Sequence, residues 1–360
     1  MTAPRVFVCA GGGGVGKTST SAALALALAR ARQRTLLVTI DPARRLADAM
    51  GVALTHVVTP VVLPGVEGTL DALMPDPRRS ADTFLDILFA SEPAAAERVR
   101  QSRLFRALAD AAAGVHEIVA LSVLADACDR TPYDAVVIDT APSRNALDFV
   151  RTPGRIADLL GGRAVAFLGT LASRAEAPRR GGLLSRLGGG VETLVGRVVG
   201  PNLLAETAAL FTELARVRPR FVSLATRAGE LLLGPQTTWL LVGAPTAAAR
   251  DDLHFLADAL RRLGKQPRAV LLNRAEAEDA SWLEALEALP PVLEPLIRAL
   301  RDEHTVRLDA TRAAMADLAV RLPGTCVLPL PTVLATAPAD IVAALATAID
   351  RLRGELGAST

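Results

Sequence analysis

The chain has 360 residues, enough for one large α/β domain or two modest ones, and 51% of them are hydrophobic, which suits a buried sheet. A formal net charge of +2 gives no basic field for nucleic acid, and aromatic residues, at 3%, leave little for stacking bases. No uncharged apolar run approaches the roughly 18–20 residues of a membrane helix, so the chain is not expected to be an integral membrane protein.

The opening "RVFVCAG" is a short apolar run closed by glycine, the pattern of a fully buried parallel strand. No secretory signal precedes it, and the sequence reads as cytoplasmic. "TSTSAALALALARARQR" follows as an Ala/Leu-rich helix, then "RTLLVTID" as a second strand ending in Asp41. The stretch through "LFASEPAAAERVRQSRLFRALADAAAGVHEIVALSVLADACDR" is helical in composition and period, and its His116-Glu117 reads as a helix start rather than a metal site. "YDAVVIDTAP" is a third strand, ending at Asp139, and "TTWLLVGAP", "PRAVLLN" and "TCVLPLP" are further compact strands. Apolar strands alternating with helices predict a doubly wound, mostly parallel sheet. Between 151 and 235 strand signals give way to glycine clusters and surplus arginine, which reads as a helical insertion. "ADIVAALATAIDRLRGEL" closes the domain as an amphipathic helix, leaving a tail at 351–360. The organisation expected is one domain over 1–350, interrupted at 151–235.

The decisive stretch is "GGGGVGKTST", Gly11 to Thr20. Gly11, Gly13 and Gly16 satisfy G-x-G-x-x-G, the dinucleotide turn, and Asp41 stands where that turn's ribose-binding acid should be. Gly11, Gly16, Lys17 and Thr18 satisfy G-x-x-x-x-G-K-[ST], the phosphate loop. A dinucleotide has no use for Lys17, whereas a triphosphate needs an ammonium on its β- and γ-oxygens. Thr18 offers a hydroxyl to Mg²⁺, and Asp139 ends a strand suited to hold a Mg²⁺-bound water. Lys17 is also one of two lysines, with Lys265, in a chain that otherwise uses arginine. The phosphate loop is the reading these residues favour.

The loop, "TIDPARRLADAMG" and "DTAPSRNALDF" together resemble the ArsA/Get3 group of deviant-Walker-A ATPases, which includes the arsenite-pump ATPase and the tail-anchored-protein targeting ATPase. "TLDALMPDP", "VGAPTAAARDDLHFLADALRRLG", "VLLNR" and "VLPLP" extend the resemblance over most of the chain outside the insertion. It implies a P-loop fold, ATP/ADP and Mg²⁺ as ligands, and a dimer. Gly13, Gly14, Val15, Gly16, Lys17, Thr18 and Ser19 would cradle the phosphates, with Thr18 also on Mg²⁺. Asp41 would orient the attacking water near the metal, and Asp139 would hold Mg²⁺ through water. Asn273, Arg274, Pro329 and Pro331 would bound the adenine.

Two departures limit what the resemblance carries. The family's loop begins K-G-G, and its first lysine crosses to the partner's phosphates; here that position is Gly12. Arg44, Arg45 or Arg144 could supply the missing cation, or a paralogous partner chain with the intact loop could. The three cysteines, Cys9, Cys128 and Cys326, form no C-x-x-C pair and read as buried reduced thiols. No zinc is therefore expected, and neither the arsenite-efflux activity nor the zinc-tied dimer transfers whole. The insertion contains "ADLLGGRAVAFLGTLAS" and "LAETAALFTELARV", which could form a groove for a hydrophobic helical client or a closed helical cap. A DNA- or membrane-positioning ATPase is disfavoured by the near-neutral charge.

Overall fold

The computed structural model describes residues 3–40, 45–55, 57–63, 65–74, 77–103, 105–106, 115–140, 201–278, 286, 290–352 and 354. They form two compact units. The first, residues 1–76, 127–148 and 231–360, holds an eight-stranded sheet in the order β3-β4-β2-β5-β1-β6-β7-β8. Its strands are β1 (Arg5–Gly11), β2 (Arg34–Thr39), β3 (Thr59–Pro60), β4 (Thr69–Leu73), β5 (Ala135–Asp139), β6 (Thr237–Gly243), β7 (Pro267–Ala275) and β8 (Cys326–Pro331). All pairings are parallel except that of β3, a two-residue antiparallel strip at the edge. Pro60 has no N–H to give a ladder, so an edge is where it can sit.

The central strands are buried on both faces, as their unbroken apolar runs require. Helix α1 (Lys17–Arg30) lies against the sheet and is buried almost all round, from Thr20 to Ala29. Its alanines let it approach closely, and the C-terminal helix, Pro338–Leu352, packs on it with Val342, Leu345, Ala346 and Ile349. Between these two in the chain run α2 (Arg45–Met50), α3 (Pro77–Leu88), α4 (Pro93–Gln101) and α5 (Val115–Arg130). They are followed by α6 (Pro201–Arg216), α7 (Arg218–Leu233), α8 (Ala247–Arg262) and α9 (Glu294–Arg321); the C-terminal helix is α10.

The strand order decides between the two glycine fingerprints. In the dinucleotide fold the first two strands are neighbours, which brings the acid ending the second within reach of the ribose. Here β5 lies between them: β1 pairs with β5, and β5 with β2. With about 4.8 Å between adjacent strands, it is Asp139, ending β5, that stands next to the loop after β1.

The second unit, residues 77–126 and 149–230, is helical in its described parts. It draws on the segment before β5 as well as the expected insertion. Leu85, Leu88, Phe89, Val99, Leu210 and Phe221 form its core, with Phe84 meeting Phe221 edge to face at 6.1 Å between ring centroids.

Candidate functional site: a glycine loop closed on a buried lysine–aspartate pair

Strand β1 ends at Gly11, where a Cβ would collide with the carbonyl oxygen of Val242 on neighbouring β6. The chain then turns through Gly14 and Gly16, whose φ angles of 75° and 86° lie in the left-handed region that glycine adopts without strain. Gly16 opens α1 with no side chain capping the helix, so the first N–H groups of α1 remain available to an anion. Gly13 and Gly14 are exposed, and added Cβ atoms there would meet nothing.

Beneath the loop, Lys17 and Asp139 form a buried ion pair, 4% and 0% exposed, with Nζ 2.9 Å from Oδ1. Lys17 Nζ also donates to the backbone oxygen of Thr140. The Thr18 hydroxyl donates to Asp139 Oδ2 at 2.8 Å. Ser21, at 3.3 Å from Oδ1, and Thr39, at 3.3 Å from Oδ2, complete the shell. A carboxylate removed from water is thus held by an ammonium and three hydroxyls, as its desolvation demands.

Ser21 and Thr39 were not among the residues expected at the site, though both were within reach of the sequence. Ser21 follows Lys17 by one helical turn and so shares its face. Thr39 is the register partner of Asp139 across the β2–β5 ladder. Cys9 lies on the same floor, and burial pushes its thiol up to about 12, against the smaller opposing effect of the Ser21 hydrogen bond. It therefore stays protonated and is no nucleophile. Cys128 is also buried and Cys326 partly so.

The other expected site residues divide. Asp41, Arg44 and Arg144, and the side chain of Arg45, lie outside the described residues. Val15 is buried and Ser19 half-buried. Asn273 reaches the phosphate loop itself, donating from Nδ2 to the Val15 carbonyl at 2.9 Å. Arg274, beside it, is exposed with φ 58°. Pro329 and Pro331 line hollows against α9, shared with Ala275 and Glu276, whereas Leu328 and Leu330 face the α1 side. The residues expected around the adenine therefore share the carboxyl edge of the sheet but not one face of it. Gly12 is buried, and a Cβ on it would run into the carboxylate of Asp252 on α8.

Residues 4–175 match the sequence profile of a family described as anion-transporting ATPase. Over that span, a little under half of its length, the chain is similar to the anion-transporting ATPases. A comparison with curated proteins found no match. The family implies ATPase chemistry, with a nucleotide and Mg²⁺. The residues present suit both: an uncapped helix start with exposed loop glycines for phosphate, and two oxygen atoms of the kind Mg²⁺ prefers, Thr18 Oγ1 and Asp139 Oδ2, 2.8 Å apart. Among the described residues no helix is long and apolar enough to cross a membrane.

Proposed function

We propose that the chain is a Mg²⁺-dependent ATP-hydrolysing switch of the ArsA/Get3 type that works as a dimer and acts on a protein partner. The observation that carries this reading is the convergence of Lys17, Thr18 and Asp139 beneath the glycine loop. Without nucleotide, Lys17 is held by Asp139 and Thr140. Binding of a triphosphate would draw its ammonium to the β- and γ-oxygens, and the Thr18 hydroxyl would turn from Asp139 to the metal. Mg²⁺, when bound, neutralises charge on the phosphoryl oxygens. Asp139, steadied by Ser21 and Thr39, would hold the metal's water. Asp41 would orient the attacking water, and Asn273, Arg274, Pro329 and Pro331 would bound the base.

Hydrolysis needs one more cation than this set contains. Inserted arginines in other phosphoryl-transfer enzymes accelerate the reaction by ~10³–10⁵. Gly12 cannot supply a charge, and Asp252 fills the space its side chain would take. Arg44, Arg45 or Arg144 would serve in a homodimer. A second reading, a hydrolysis-poor subunit paired with a paralogue carrying the intact K-G-G loop, is favoured by the same observation. For the client, the described residues of the second unit favour a closed helical cap over an open groove; "ADLLGGRAVAFLGTLAS", one of the two stretches expected to line a groove, lies outside them. The unit's described apolar faces pack on one another, and none of its described residues is an exposed large hydrophobic.

Steady-state Mg²⁺-ATPase turnover across a range of protein concentrations separates these readings. Turnover per chain is expected to rise with concentration, as a homodimer assembles competent sites. Turnover that stays at background while ATP binds would instead place the missing cation on a partner chain.

A further inference from the structure

Asn273 is expected at the adenine, yet its side-chain amide points into the phosphate loop. We infer that Asn273 is a positioning residue for that loop, clamping the Val15 carbonyl so that the loop's N–H groups keep their inward curve. This rests on the phosphate-loop reading above and adds to it a residue 258 positions away in sequence.

Several observations converge on the clamp. A loop whose N–H groups converge on an anion must send its carbonyls outward. Val15 is 5% exposed, so its carbonyl needs a protein partner, and an unpaired buried carbonyl would be costly. Asn273, itself 6% exposed, provides that partner at 2.9 Å. The donor is fixed by chemistry, because the amide oxygen would repel a carbonyl and only Nδ2 can face it.

The sequence around both ends is fitted to this contact. A Cβ on Gly16 would collide with Asn273 Nδ2, so the loop keeps glycine there for room as well as for its left-handed φ. On β7, alternation places Asn273 on the face of Ala269 and Leu271, the face packed against α1. Immediately after it the register with β8 shifts: Leu272 pairs with Pro329 and Ala275 with Pro331, leaving one extra residue on β7. Arg274 takes φ 58° in that bulge and turns to solvent. Bulges beside functional sites commonly re-aim a side chain. This one ends the regular strand just as Asn273 reaches the loop. The clamp thus crosses from β7, over β6, to the loop following β1.

The test uses a ligand without a base. Magnesium tripolyphosphate reports the phosphate loop alone, and affinity for it is measured on the full chain, Asn273→Ala, Asn273→Leu and Leu271→Val. The leucine variant keeps the volume and removes the donor. Leu271→Val loosens the same strand and leaves the Asn273–Val15 hydrogen bond in place. Loss of one hydrogen bond predicts roughly threefold to tenfold weaker tripolyphosphate binding for both Asn273 variants. Faster amide exchange across residues 13–18 in the nucleotide-free protein is expected as well, and Leu271→Val should show neither change. Unchanged tripolyphosphate affinity with weakened ATP binding would assign Asn273 to the base alone and overturn the clamp. Equal weakening in Leu271→Val would reduce the effect to general stability and overturn it too. Failure of the unmodified chain to bind tripolyphosphate or ATP would instead overturn the phosphate-loop reading on which the clamp rests.

Discussion

Replacing Lys17 by alanine is expected to abolish ATP binding and also to destabilise the nucleotide-free protein by about 3 kcal/mol. The second effect is unusual for a ligand-binding residue and follows from burial. Asp139 is 0% exposed and Lys17 4%, so removing the ammonium leaves a carboxylate in the sheet without a counter-charge. Breaking a buried pair from one side typically costs about 3–5 kcal/mol. The low end applies because Thr18, Ser21 and Thr39 still donate to the carboxylate. Asp139→Ala should be destabilising for the converse reason, leaving the Lys17 ammonium with the Thr140 carbonyl. The double variant removes both charges, so it should cost about 1–3 kcal/mol less than the sum of the two. Urea unfolding of the four proteins without nucleotide measures this. Single-variant costs that simply add would show that the pair is not coupled in solution.

Gly16→Ala and Gly13→Ala should behave very differently, although both lie in one glycine run. At position 16 the left-handed φ of 86° costs a residue with a Cβ about 1–2 kcal/mol. The new methyl would also meet Asn273 Nδ2, which must withdraw from Val15 to make room. Together these predict a loss of about 3 kcal/mol and severe weakening of phosphate binding. At position 13 an added Cβ meets nothing and the residue is exposed, so stability should change by no more than about 0.5 kcal/mol. Thermal unfolding of the two variants provides the comparison. Equal midpoints would contradict the loop geometry described above.

What could be read from the sequence follows from how local each feature is. The phosphate loop was legible because its glycines, Lys17 and Thr18 are contiguous and each answers a separate physical need. Asp139 was legible because a strand-terminal acid after an apolar run is itself a short-range pattern. The insertion of β5 between β1 and β2 was not, since strand order is a long-range pairing that apolar runs do not encode. The same holds for the Asn273–Val15 contact, which joins distant segments. Thr59–Pro60 carried no strand signal, because proline at an edge resembles a turn. The helical unit takes in residues 77–126 as well as part of the expected insertion. Helical periodicity shows that a segment buries one face, without showing which helices it buries that face against.

Equilibrium titration of the purified chain with ATP and with NAD, each with and without Mg²⁺, tests the central claim most directly. Binding of ATP that strengthens with Mg²⁺ and vanishes in a folded Lys17 variant, with no binding of NAD, is the predicted result. Binding of NAD, or ATP binding indifferent to Lys17, would contradict the assignment of Gly11–Thr18 as a triphosphate loop.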